Sequence, residues 1–262
     1  ADDEIIIPEP YYANYISFSE AFDAVCVPIT SSFDNNFALP PIEEFEKKIT
    51  PKTKAFLICN PGNPTGYLYS KEEILQLAAI AKKYDIFLIF DEVYREFVYD
   101  GAQHFSIMQV PDIEQNAIMI DSVSKRFSMC GARIGWVVSK NKEVMKSILK
   151  FAQARLSPPT YSQIGAEKAF DVPETYFEEV LKEYTQRRNV LIDALQRVEG
   201  VRVSMPKGAF YCIAELPVEN AEDFCIWLLD QFSVGNETVM LAPAEGFYAT
   251  PGLGRNQVRI AY

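Results

Sequence analysis

A chain of 262 residues, 48% of them hydrophobic and 23% charged, can bury a sizeable core and is too apolar to be disordered throughout. Its formal net charge of −11 argues against a nucleic-acid binder, whose partner phosphates call for a basic stripe, and no apolar run approaches the length of a membrane span. Five scattered cysteines (Cys26, Cys59, Cys130, Cys212 and Cys225) and a single histidine, His104, argue against a disulfide framework or a metal centre and suit a reducing cytoplasm.

Short apolar runs recur along the first half: Ile5-Ile6-Ile7, Ala24-Val25-Cys26-Val27, Ala55-Phe56-Leu57-Ile58-Cys59, Ile86-Phe87-Leu88-Ile89-Phe90 and Ala117-Ile118-Met119-Ile120. Continuous rather than alternating apolarity predicts strands of a sheet covered on both faces. Between the third and fourth runs, residues 70–84 predict a helix, with Ser70 as N-cap, Glu73 three residues on, and Ile74, Leu77 and Ala81 on one face. Strand–helix–strand repetition of this kind implies an α/β fold with a mostly parallel sheet covered by helices. A longer helix is expected over 173–197. After Gly200 the texture changes to Val201-Arg202-Val203, Phe210-Tyr211-Cys212-Ile213-Ala214, a helix over 221–232, Val239-Met240-Leu241 and Val258-Arg259-Ile260. That α+β pattern predicts a smaller C-terminal domain, 186–262, beside a large domain over 1–185. The chain opens directly into a strand and stops at Ala261-Tyr262 within another, so both ends are expected to be interior to a longer protein.

Ligands of parallel sheets bind beyond the carboxyl ends of the strands, so the segment after each run is where a site would form. The third run leads into Asn60-Pro61-Gly62-Asn63-Pro64-Thr65-Gly66, a turn whose prolines and glycines leave Asn63 projecting. The fourth delivers Asp91-Glu92-Val93-Tyr94, in which Asp91 serves equally well as a site carboxylate or as a helix cap. The fifth leads into Asp121-Ser122-Val123-Ser124-Lys125 and then Gly131-Ala132-Arg133, where hydroxyls and cations on a tight loop suit a phosphate. Each cluster alone has an ordinary explanation as turn, cap or solvated charge. Their convergence on one sheet edge favours a site.

Asn63-Pro64-Thr65-Gly66, the Asp91/Tyr94 pair, and Ser122 and Lys125 with Arg133 eight residues on resemble class I pyridoxal-phosphate aminotransferases of fold type I, above all the bacterial aspartate enzymes. The resemblance implies pyridoxal 5′-phosphate as cofactor, held as a Schiff base by Lys125, which would also shuttle the proton between substrate Cα and cofactor C4′. It implies Asp91 at the pyridine nitrogen, Tyr94 and Asn63 at the 3′ oxygen, and Ser122, Ser124 and Arg133 at the phosphate. By position, Tyr12 matches the aromatic residue stacked on the ring, although an aromatic packed beside Pro8 and Pro10 reads the same from residues alone. Arg259, between Val258 and Ile260, matches the grip on the substrate α-carboxylate, to which Asn63 also contributes.

The implied reaction is transamination between an amino acid, aspartate, and a 2-oxo acid, 2-oxoglutarate, by a cytoplasmic homodimer in amino-acid biosynthesis. Other readings with the same cofactor are an alanine, aromatic or broad-specificity aminotransferase, a C–S lyase, or a non-catalytic sensing module. Phe210 reads either as a cavity wall or as core, Arg155 as a candidate for a second substrate carboxylate, and His104 as structural. The family's N-terminal segment, which supplies part of the phosphate site, and its last helix have no counterpart here. This chain alone is therefore expected to be a poor catalyst.

Overall fold

A computed structural model describes residues 2–262. The predicted strands form as β1 (Asp3–Glu9), β2 (Ala24–Thr30), β3 (Thr53–Cys59), β4 (Phe87–Asp91) and β5 (Ala117–Ser122). A further strand, β6 (Gly135–Val138), follows directly on what reads in sequence as a phosphate loop. The six make one sheet in the order β2-β1-β3-β4-β5-β6, parallel except for β6, which runs antiparallel to β5.

Helices α1 (Asn14–Glu20), α2 (Ile42–Lys48) and α3 (Lys71–Tyr84) flank this sheet. The α3 start is the capping box expected from sequence: Ser70 Oγ accepts from Glu73 N, and Glu73 Oε2 accepts from Ser70 N at 2.7 Å. Ile74, Leu77 and Ala81 of α3 are fully buried against Phe56, Ile58, Leu88 and Phe90. The opposite face is covered only in part, by α1 and the tyrosines before it. Ile120 on that face remains 37% exposed, and Val25 on the α3 face 47%, so continuous apolarity overstated the burial of the outer strands.

Beyond β6 come α4 (Val123–Arg126, between β5 and β6), α5 (Lys142–Arg155), α6 (Thr160–Ala169) and α7 (Glu174–Leu195). The last of these runs unbroken across the 185/186 position. A second, antiparallel sheet then forms from β7 (Arg202–Val203), β8 (Tyr211–Glu215), β9 (Ala242–Pro243) and β10 (Gln257–Ala261), in the order β7-β8-β10-β9, with α8 (Ala221–Asp230) packed on it. The strand expected at Val239-Met240-Leu241 is displaced to Ala242–Pro243. After the turn that bridges Val234 and Glu237, the chain meets β10 only there, with Ala242 opposite Arg259 and Pro243 opposite Val258.

Close backbone approaches join the two sheets. Lys207 N and Gly208 N both donate to Gly66 O at 2.9 Å, and Ala209 N donates to Phe97 O at 2.9 Å. Gly66 has φ +68°, and a Cβ there would lie 2.3 Å from Pro206 Cβ and 2.6 Å from Tyr211 O, so only glycine fits this crossing. Asn36 pairs with Met205 backbone in both directions, at 2.9 and 2.7 Å. Arg188 of α7, 3% exposed, forks onto both Asp100 carboxylate oxygens at 2.9 and 2.8 Å.

Candidate active site

Three neighbouring parallel strands, β3, β4 and β5, end at the same edge of the sheet. Cys59 lies opposite Asp91 in register, and Asp91 opposite Ile120. The segments after them carry Asn63, Tyr94 and Lys125, with Lys125 on the single turn of α4. A left-handed residue before β6, Arg133 at φ 57°, turns back toward that edge, and the segment after β1 brings Tyr12 and Tyr15. From the second sheet, β10 supplies Arg259 and β8 supplies Tyr211. Together these line a cavity of about 340 Å³. A wider, more open cleft of about 720 Å³ lies between residues 33–38 and 196–207, where Arg202 is already paired with Asp34 and Glu215. It lacks the convergence of strand ends that marks the smaller cavity.

All nine residues to which the resemblance gives a role line the smaller cavity, whereas Phe210 is not among its lining residues. Asp91 is held at both oxygens: Tyr15 Oη donates to Oδ2 at 2.7 Å and Val93 N to Oδ1 at 3.2 Å. Asp91 thus caps the turn after β4 with one oxygen and leaves the other to a phenol from α1. Burial pushes its carboxyl up from the ordinary value, opposed by the Tyr15 and Val93 donors and by the Lys125 charge. Lys125 Nζ lies 5.8 Å from the ring centroids of both Tyr94 and Phe210. Tyr94, 3% exposed, shares a 3.0 Å hydroxyl–hydroxyl hydrogen bond with Tyr211. Ser122 Oγ accepts from Ser124 N at 3.1 Å, and Arg133 Nη1 donates to Cys130 O at 3.0 Å. Tyr12 stands edge-on to Tyr15, with centroids 5.5 Å apart.

Arg259 Nη1 donates to Asn63 Oδ1 at 3.1 Å, so the two sheets meet inside the cavity. Its guanidinium lies 4.7 Å from the Tyr211 ring and 5.0 Å from that of Phe247. Its Nε is buried and has no hydrogen-bond partner among the described residues, a donor suited to an anion.

Sequence reasoning missed Tyr15, Cys59, Val93, Cys130 and Tyr211 as lining residues. Tyr15 carries one usable signal, its place three residues after Tyr12 at the start of a helix. Tyr211 had none beyond its neighbour Phe210. Arg155 is exposed at the end of α5 and does not line the cavity. His104 lies behind the site, its Nε2 3.8 Å from Glu92 Oε2, and burial pushes its pKa down to about 4. Among the described residues, no helix is long and apolar enough to cross a membrane.

The family model for aminotransferase class I and II matches residues 1–260. An aspartate aminotransferase of Bacillus sp. (strain YM-2) is 33% identical over 99% of this chain and 66% of its own length. Among solved structures, an aspartate aminotransferase from Thermotoga maritima aligns with a TM-score of 0.87 at 30% identity, over 100% of this chain and 65% of that one. The aromatic aminotransferase from Pyrococcus horikoshii OT3 aligns with a TM-score of 0.87 at 29% identity, over 100% and 68%. The chain spans about two thirds of the length of the curated relatives it matches, 66% and 65% for the first two.

The cofactor of this family, pyridoxal 5′-phosphate, fits the donor set. Hydroxyls and a guanidinium in the cavity wall, Ser122, Ser124 and Arg133, suit a phosphate. A buried carboxylate, Asp91, whose charged form is disfavoured would be matched by a protonated ring nitrogen, and a primary amine, Lys125, stands in the same cavity. With its mostly parallel sheet, its second antiparallel sheet and this cavity between them, the chain has the type I fold of pyridoxal-phosphate enzymes and belongs to the class I and II aminotransferase family.

Proposed function

We propose that this protein transfers the amino group of aspartate to 2-oxoglutarate, using pyridoxal 5′-phosphate attached to Lys125. The observation that carries this reading is the gathering of an amine, a buried carboxylate and two guanidinium groups, from four separate segments, around one cavity. The names of the relatives favour aspartate as the donor. When bound, the cofactor supplies an electron sink for the negative charge left at the substrate Cα.

In this reading the Lys125 amine is the attachment point, and once released it moves the proton between the substrate Cα and the cofactor C4′. Asp91 holds a proton on the ring nitrogen through an ion-paired hydrogen bond, and Tyr15 orients that carboxylate. Tyr94 and Asn63 hydrogen-bond the 3′ oxygen, and Tyr12 stacks on the ring. Ser122, Ser124 and Arg133 bind the phosphate. Arg259 clamps the α-carboxylate that all amino-acid substrates share, its planar fork meeting two oxygens at once. The donor leaves as a 2-oxo acid before the acceptor enters, which gives ping-pong kinetics. Residues 1–185 and 186–262 act as the cofactor and substrate-clamping domains of a homodimer.

A second reading, an aromatic amino acid as donor, is favoured by the four tyrosines Tyr12, Tyr15, Tyr94 and Tyr211 in the cavity wall. The test is borohydride reduction of the chain incubated with pyridoxal 5′-phosphate, with peptide mapping of the product. Label on Lys125 is expected, and label on Lys140 or Lys142 instead would refute the assignment. Oxo-acid production from aspartate compared with that from phenylalanine and tyrosine then separates the two donors.

A further inference from the structure

Tyr211 has no role in the catalytic steps above, yet it touches two residues that have one. It stands on β8, 7% exposed, with its ring under the Arg259 guanidinium at 4.7 Å and its hydroxyl 3.0 Å from that of Tyr94. Two phenols at that distance share one hydrogen bond, and either could be the donor. The direction matters. If Tyr94 donates to Tyr211, its only proton is used up. If Tyr211 donates, the Tyr94 proton is free for another acceptor.

We infer that Tyr211 is a positioning residue whose hydroxyl donates to Tyr94 and thereby aims the Tyr94 proton into the cavity, at the 3′ oxygen of the cofactor. The inference rests on the catalytic reading above, in which Tyr94 serves that oxygen. The charges around the pair set the direction. Tyr211 faces Arg259 from β10, with Cys59 from the end of β3 and Tyr12 from the segment after β1; burial raises its phenol, while the hydrogen bond with Tyr94 and then the Arg259 charge, 4.7 Å from its ring, lower it. Tyr94 faces Tyr211, Cys59 and Asp91; burial pushes its phenol up most, then Tyr211 itself, then Cys59 and the Asp91 carboxylate. Lys125, the remaining charge near Tyr94, loses its ammonium when its amine carries the cofactor. Tyr211 is thus the more acidic of the two and the better donor. Ring packing does not account for the hydroxyl: the Tyr211 ring packs edge-on against that of Tyr94 at 5.6 Å, a contact that a phenylalanine ring would make equally.

The test is a pH titration of the visible absorption band of the chain loaded with pyridoxal 5′-phosphate, in wild type, Tyr211→Phe, Tyr94→Phe and the double variant. Phenylalanine at 211 keeps the ring beneath Arg259 and removes only the hydroxyl. A donor to the 3′ oxygen favours the deprotonated form of the lysine-bound cofactor, so weakening that donor raises the midpoint. Tyr211→Phe is expected to raise it by about half a pH unit, roughly a threefold change in the protonation equilibrium, since a hydrogen bond polarised by a second is only modestly stronger than one alone. Tyr94→Phe should raise it further, and Tyr211→Phe should add nothing in that background. An unchanged midpoint in Tyr211→Phe, an equal shift in both backgrounds, or loss of the band in Tyr211→Phe alone would each overturn the inference while leaving the catalytic reading intact. A wild-type chain that forms no band would overturn both.

Discussion

Replacing Glu92 by glutamine should change how stability depends on pH, in a direction set by its surroundings. Glu92 comes directly after Asp91, is fully buried, and accepts at Oε1 from Ser106 Oγ at 2.8 Å and Ile107 N at 2.9 Å. Its Oε2 has no hydrogen-bond partner among the described residues, although His104 Nε2 and Arg95 Nη1 stand at 3.8 and 3.9 Å. Burial dominates and raises its pKa from 4.5 to about 6. An acid whose folded pKa lies above its unfolded value contributes stability that is fully present below pH 4.5 and is lost as pH rises through about 6. The interval corresponds to about 2 kcal/mol. Glutamine keeps an oxygen for Ser106 and Ile107 but does not titrate. Asp121, also raised to about 6, and His104, lowered to about 4 and therefore costing stability at acid pH, titrate in both proteins, so the difference reports Glu92 together with its direct coupling to these two neighbours. Urea unfolding between pH 4 and pH 8 should therefore show the wild type losing about 2 kcal/mol relative to Glu92→Gln as pH rises. Parallel pH profiles for the two proteins would refute the argument.

Gly66→Ala should destabilise the chain by roughly 3 kcal/mol in urea unfolding, from a left-handed φ and an overlap with Pro206 and the Tyr211 carbonyl that no rotamer relieves. A change below about 1 kcal/mol would mean that the two sheets separate easily at that crossing. Arg259→Lys should raise the Km for every amino-acid substrate while leaving their ranking unchanged, because a point charge replaces a two-point clamp on the shared α-carboxylate. An effect confined to dicarboxylic substrates would make Arg259 a side-chain reader instead.

Local sequence was enough where the physics is local. Five apolar runs identified β1 to β5, since a strand buried between layers needs no information beyond its own side chains, and the Ser70/Glu73 capping box located the start of α3. The rule that parallel sheets bind ligands at their carboxyl ends then points to Asn63, Asp91, Tyr94, Ser122 and Lys125 from sequence alone, because loop order along the chain already encodes which strand end each occupies. What local sequence could not carry was partnership. The apolar triplet at 239–241 had every mark of a strand, but pairing with β10 begins only at Ala242, where the returning chain reaches it. Tyr15 and Tyr211 were invisible as site residues because their roles depend on contacts with Asp91, 76 residues away, and Tyr94, 117 residues away. The Tyr94–Tyr211 contact exists only once the 206–211 segment docks on the 60–66 turn, an approach that Gly66 permits by lacking a Cβ. Which residues stand at the edge of the sheet is set by order along the chain; which groups hydrogen-bond across the cavity is set by how closely two backbones pack.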